Sequence, residues 1–210
     1  MIRVFAIAAA VALLPQPLFA ANTEFLAPNA HLSVTNGFVE PNRPGGASAL
    51  AGRPILEWLD SAPGQQSDFW SNYGSFHLFT SELIGGDGVC FDAPGAYSVA
   101  HTAARGTAVG FVLGCDWNDG RVEYYVDDTL VARIHCPTAN WTDYVLLVDS
   151  LPYDTHTLRV NCVDPAPGDL TSGVFFYGAA TLGSVPEPYA LLALLCGFGW
   201  LGGMLRLKRR

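Results

Sequence analysis

From Val89 onward the chain alternates apolar and polar positions in short runs. In the run 107–114, Val109, Phe111 and Leu113 share one face. In the run 121–126, Val122, Tyr124 and Val126 face inward, and Glu123 and Tyr125 face outward. Successive strand residues point to opposite sides, so a period of two predicts strands with one buried face. Further runs at 89–92, 96–102, 130–135, 143–148, 155–160 and 174–181 read the same way. Turn residues separate them: Ala93-Pro94-Gly95, Ala104-Arg105-Gly106 and Asp127-Asp128. Aspartate tolerates the left-handed backbone that a tight hairpin needs, though less well than Asn or Gly. No stretch before Tyr189 keeps a helical period. Eight antiparallel strands with one apolar face each predict an all-β fold, a two-sheet antiparallel jelly-roll sandwich. The segment 22–66 is rich in Pro and Gly, and supports only short strands near 31–39 and 55–60.

Two apolar runs fit no strand. Near the N-terminus, Arg3 precedes an apolar run over 4–14, broken by Pro15 and Pro17. With Ala20 or Ala21 as the small residue before a cleavage point, 1–21 is expected to be a secretory signal peptide; a retained signal anchor is the alternative. Near the other end, Val185-Pro186-Glu187-Pro188 leads into 17 uncharged apolar residues, 189–205, followed by Arg206, Lys208, Arg209 and Arg210. At about 1.5 Å per residue this run spans roughly 25 Å, the short end of what crosses a bilayer. It is expected to form a single transmembrane helix, with the basic cluster on the cytoplasmic side.

A Pro-Glu-Pro motif, one hydrophobic helix and an arginine-rich end, in that order, resemble the PEP-CTERM sorting signal of Gram-negative bacteria. The resemblance implies that 185–210 is read by an exosortase, a membrane protease or transpeptidase, after export by the secretion machinery. It also implies passage from an inner-membrane-anchored intermediate to the cell surface or the exopolysaccharide matrix. A plain tail anchor is the simpler alternative.

Between these addresses, 22–184 has the length of one domain. It holds six Arg and no Lys against eighteen Asp or Glu, a net charge of −12. Such acidity argues against nucleic acid and anionic lipid headgroups as partners. It suits solubility, neutral glycans or cations.

Four of the five cysteines fall in this segment: Cys90, Cys115, Cys136 and Cys162. An oxidising compartment would pair them into two disulfides, with three connectivities open. There is no Cys-x-x-Cys, so neither a zinc ribbon nor a thioredoxin-type site is supported. If each connection reverses direction, the strands at 89, 107, 130 and 155 run the same way, which sets all four cysteines toward one end. A jelly roll holds the Cys90 and Cys136 strands at opposite corners, so the expected pairing is Cys115–Cys136 with Cys90–Cys162. Against it, Cys90 has the opposite side-chain parity to Val89 and Phe91, which would face it outward as a thiol.

Catalytic signals are missing from the sequence. There is no Gly-x-Ser-x-Gly, and Gly168-Asp169-Leu170 carries Leu where a Gly-Asp-Ser esterase needs its nucleophile. His31, His77, His101, His135 and His156 are scattered over strands and strand edges. No catalytic residue is assigned, and the chain is not expected to be an enzyme. No cofactor is expected either, except that Asp116, Asp119, Asp164 and Asp169 are candidates for a structural Ca²⁺ site.

The strand directions also group the longer connections, 116–120, 137–142 and 163–173, at one end. Trp117, Asn118, Asp119, Asn140 and Trp141 there are candidate ligand-binding residues. A flat aromatic face suits the apolar side of a pyranose, and Asn or Asp suits its hydroxyls. The alternative role for Trp117 and Trp141 is to cap the open end of the core.

One further resemblance concerns this domain. Gly106-Thr107-Ala108-Val109-Gly110-Phe111, then Val122-Glu123-Tyr124-Tyr125-Val126-Asp127-Asp128, then Thr155-His156-Thr157-Leu158-Arg159-Val160 are similar to segments of the galactose-binding-like jelly rolls attached to bacterial glycan-processing enzymes. These are turn and core residues, so they speak to fold. The resemblance implies a sandwich of a kind used for carbohydrate or matrix binding. The expected function is therefore a non-catalytic exported surface or matrix protein that binds exopolysaccharide or another glycan. The alternatives are a hydrolase acting on exopolysaccharide and a purely structural or protein-binding matrix component.

Overall fold

A computed structural model describes residues 22–35, 41, 46–61, 70–81, 86–115, 120–135, 141–164 and 174–183. The expected signal peptide, the sorting motif Val185 to Pro188 and the basic residues after it lie outside these. Among the described residues no helix is long and apolar enough to cross a membrane.

Six strands come first: β1 (Asn22–Leu26), β2 (Ala30–Val34), β3 (Ala49–Leu50), β4 (Arg53–Asp60), β5 (Trp70–Tyr73) and β6 (Phe76–Ser81). Eight follow: β7 (Gly86–Phe91), β8 (Tyr97–His101), β9 (Ala108–Cys115), β10 (Arg121–Val126), β11 (Thr129–His135), β12 (Thr142–Val148), β13 (Thr157–Asp164) and β14 (Val174–Leu182). Sheet A runs β1-β11-β10-β13-β8-β5. Sheet B runs β2-β12-β9-β14-β4-β3, with β7 also on β14 and β6 on β7. Taken alone, the last eight strands give β8-β13-β10-β11 and β7-β14-β9-β12, all antiparallel, which is the strand order of a jelly roll. These are the eight strands that the alternation predicts.

The N-terminal strands extend this roll at its edges. β1 adds to β11, β5 to β8, β2 to β12, and β6 to β7. Only the β2 and β4 regions are expected from sequence. Edge strands leave much of their length exposed, as at Phe25, Val34, Tyr73 and Leu78, so their hydrophobic pattern is weak.

The apolar faces meet between the sheets. Val89, Phe91, Val109, Phe111, Leu113, Val122, Tyr124, Leu158, Val160 and Phe176 pack there. A second cluster lies on the other face of sheet B, where Val112, Val145, Tyr177, Ala180 and Leu182 are covered by Leu50, Trp58, Phe79 and Trp141. All eight residues of β9 are therefore buried. β14 changes partner along its length, from β7 at Val174–Phe176 to β4 from Gly178 onward. A bulge falls at this point, and a Cβ on Gly178 would sit 2.5 Å from the Leu59 carbonyl oxygen.

Asp127 and Asp128 have φ of 50° and 60°, the pair of positive values of a type I′ hairpin turn. The turn meets the other similarity segments at the same end of the roll. Gly106 N–H donates to the Asp154 carbonyl at 3.0 Å, and Asp127 N–H to the Thr157 carbonyl at 2.8 Å. The motif residues thus fasten one end of the sandwich, in line with their reading as turn and core residues.

The cysteine pairing needs correction. Cys162 is a free thiol in the inter-sheet core, so the expected Cys90–Cys162 bridge is not formed. The reason is parity: Val89 and Phe91 point into that core, and Cys90 between them is buried on the opposite face of sheet B. Burial pushes the Cys162 thiol up to about 11, with the charges of Asp164 and Asp92 adding to it. Cys115 is disulfide-bonded; Cys136 lies outside the described residues.

Candidate functional site

The outer face of sheet A carries a continuous set of polar and aromatic side chains. It arises directly from alternation. Val122, Tyr124, Leu158 and Val160 fill the core, so Glu123, Tyr125, Arg159 and Asn161 must emerge on the other side. Antiparallel register then aligns them. Tyr73 is opposite Tyr97, Tyr97 opposite Asn161, Asn161 opposite Glu123, Glu123 opposite Arg133, and Arg133 opposite Phe25. One row crosses all six strands. With strands about 4.8 Å apart, it spans roughly 24 Å.

Aromatic rings sit at both ends of the row. Tyr73, 48% exposed, stacks on Tyr97 with ring centroids 4.7 Å apart and planes 16° from parallel. Phe25 at the far end is 41% exposed. The centre is polar and ordered. Glu123 accepts from the Tyr125 hydroxyl at 2.7 Å, from Arg133 Nε at 2.9 Å and from Asn161 Nδ2 at 3.2 Å. The Arg159 guanidinium lies 4.0 Å over the Tyr125 ring, a cation–π contact, and its buried Nε has no hydrogen-bond partner among the described residues.

These contacts set the charges. Burial works to raise the Glu123 carboxyl, but hydrogen bonds from Tyr125, Arg133 and Asn161 outweigh it and hold the group below the usual glutamate value. Burial and the hydrogen bond to Glu123 push the Tyr125 phenol up, so it stays a donor. Beyond this centre, Arg121 donates to Glu24 at 2.6 Å and to Asp164 at 2.8 Å. A carboxylate kept ionised by three donors is poorly suited to act as a general acid. The arrangement suits binding: fixed donors and acceptors between flat apolar rings.

Of the ligand-binding candidates read from the sequence, Trp141 alone is among the described residues. Trp117, Asn118, Asp119 and Asn140 lie outside the described residues. Trp141 lies half-buried in the second cluster on sheet B, 4.6 Å from the Phe175 ring centroid, and donates from Nε1 to Asp143 at 2.9 Å. Of the calcium candidates, Asp164 is engaged by Arg121, while Asp116, Asp119 and Asp169 lie outside the described residues. The sheet A face is partly legible in the sequence, whose alternation sets Glu123 and Tyr125 outward. Its assembly is not, because Tyr73 and Tyr97 join it only through β5 and β8.

No family model and no curated protein matches this chain. Several solved structures resemble it. A family 36 carbohydrate-binding domain of a multidomain xylanase, from the hindgut metagenome of Trinervitermes trinervoides, aligns with a TM-score of 0.43 and 10% identity, over 61% of this chain and 97% of that one. A family 35 carbohydrate-binding module from an environmental isolate aligns with a TM-score of 0.44 and 14% identity, over 61% and 93%. A two-domain esterase active on acetylated mannans, co-crystallised with mannopentaose, aligns with a TM-score of 0.44 and 13% identity. That alignment takes in 57% of this chain and 35% of the esterase, so this chain spans about a third of the esterase's length. These are resemblances of chain path, and the site above rests on this chain's own residues.

Proposed function

We propose that this chain is a non-catalytic, exported β-sandwich protein that holds a neutral glycan across the outer face of sheet A. The observation that carries the reading is the single row Tyr73, Tyr97, Asn161, Glu123, Arg133 and Phe25. A sugar chain needs aromatic faces for its C–H surfaces and fixed polar groups for its hydroxyls, in a line. The row offers both. Arg133 uses two N–H groups on Glu123 and has others to offer. The negative balance of the domain favours a neutral polysaccharide over an acidic one. The 185–210 motif supports delivery by an exosortase to the cell surface or matrix, with the tail removed or exchanged on the way.

A glycan-binding screen on the purified chain tests the binding reading. Tyr73→Ala and Asn161→Ala should each weaken binding by roughly 2- to 13-fold, the loss expected for one stacking or hydrogen-bonding group, with little change in thermal midpoint. Binding left intact by both variants rejects this face. Loss on Trp141→Ala alone would move the site to the opposite sheet. Glycan turnover by the purified chain would favour the hydrolase reading. For sorting, intact-mass analysis of host material that still carries the tail would defeat the processing step.

A further inference from the structure

On the outer face of sheet B, away from the row on sheet A, three side chains of different chemistry converge. His77 on β6 is directly opposite Cys90 on β7 in the antiparallel register. Cross-strand partners share a face. Asp92 lies two residues beyond Cys90 and so returns to that face. The Asp92 N–H donates to the Ser75 carbonyl at 3.0 Å, which holds it beside β6. His77 Nδ1 lies 2.8 Å from Asp92 Oδ1, and one donor atom from each of His77, Cys90 and Asp92 lies within 4.8 Å of the others.

We infer that His77, Cys90 and Asp92 form a binding site for a zinc-type divalent cation. The donor set is one imidazole nitrogen, one sulfur and one carboxylate oxygen. A hard cation such as Ca²⁺ takes oxygen ligands and would not use the thiol. Zinc takes all three, at about 2.0–2.1 Å for nitrogen, 2.0–2.2 Å for oxygen and 2.3 Å for sulfur. A tetrahedral ion with those bonds keeps its donors roughly 3.3–3.6 Å apart, so small side-chain rotations close the site. Burial fits as well. Cys90 is 0% exposed, and a thiol in such surroundings becomes a thiolate when a cation coordinates it. His77 keeps 44% of its side chain exposed, which leaves an entry path and a fourth position for water. The ion would tie edge strand β6 to β7 by side chains as well as by backbone. The site is independent of glycan binding on sheet A.

The test is Co²⁺ and Zn²⁺ titration of the purified, reduced chain. Co²⁺ should produce a thiolate-to-metal charge-transfer absorption, and Zn²⁺ should displace it and raise the thermal midpoint. Cys90→Ala should abolish the absorption. His77→Ala, at an exposed position that tolerates truncation, should weaken Zn²⁺ binding by at least the roughly 10–100-fold that loss of an outer-shell partner costs. Cys162→Ala should leave both signals unchanged. Absence of the charge-transfer band in the parent chain overturns the inference. So does a Zn²⁺ effect that survives both Cys90→Ala and His77→Ala.

Discussion

His156 Nδ1 lies 2.8 Å from Asp127 Oδ2, and this contact joins the β10–β11 hairpin turn to the start of β13. The other carboxylate oxygen of Asp127 accepts the Thr157 N–H at 2.9 Å. His156 itself is buried, with its N–H on Thr102 Oγ1 at 2.7 Å and its Nε2 3.3 Å from the Gly106 carbonyl oxygen. One residue thus ties the β8–β9 connection and the β10–β11 turn to the start of β13. Asp127→Ala removes two charge-assisted bonds and places a Cβ-bearing residue of poor left-handed tolerance at φ 50°. The expected loss is about 2–4 kcal/mol in denaturant unfolding. Asp127→Gly relieves the backbone term and keeps the loss of the bonds, so it should fall between the two. Equal stability of Asp127→Ala and the parent would show that the contact contributes nothing.

A pH prediction attaches to Glu123. Its folded value is held below the ordinary glutamate value of 4.5, so its stabilising contribution is complete above that pH and is lost as pH falls through the lowered folded value. Glu123→Gln removes the charge but keeps an acceptor oxygen. At pH 7 the variant should be less stable than the parent. The gap should narrow as the pH drops below about 4.5. Unfolding curves at a series of pH values measure it, and a gap that stays constant down to strongly acid pH would refute the assignment.

Asp143 predicts the opposite sign. Burial raises its carboxyl above the ordinary aspartate value of 3.8, and the hydrogen bonds from Trp141 and Tyr177 offset this only in part. The ionised form therefore costs stability at neutral pH. Asp143→Asn keeps an oxygen for Trp141 Nε1, at 2.9 Å, and for the Tyr177 hydroxyl, at 3.1 Å. The variant should be more stable than the parent at pH 7. Its advantage should shrink as pH falls through the raised value and vanish below about 3.8. A variant less stable than the parent at neutral pH would mean that the charge itself is needed there.

Short-range physics determined the eight strands and the turns between them. Alternation at 107–114 and 121–126 declares which residues are buried, and Asp127-Asp128 declares where the chain reverses. The outward parity of Cys90 was legible from Val89 and Phe91 in the same way. What tertiary structure alone decided is which strands become neighbours. A period of two assigns a side chain to a face, but not to a partner strand. Tyr73 faces Tyr97 only because β5 adds to the edge of sheet A, and Arg121 reaches Glu24, 97 positions away, only because β1 adds to β11 beside β10. His77, Cys90 and Asp92 likewise have no recognisable metal spacing along the chain. The β6–β7 register puts them on one face, since backbone hydrogen bonds between strands, and not sequence distance, set which side chains meet.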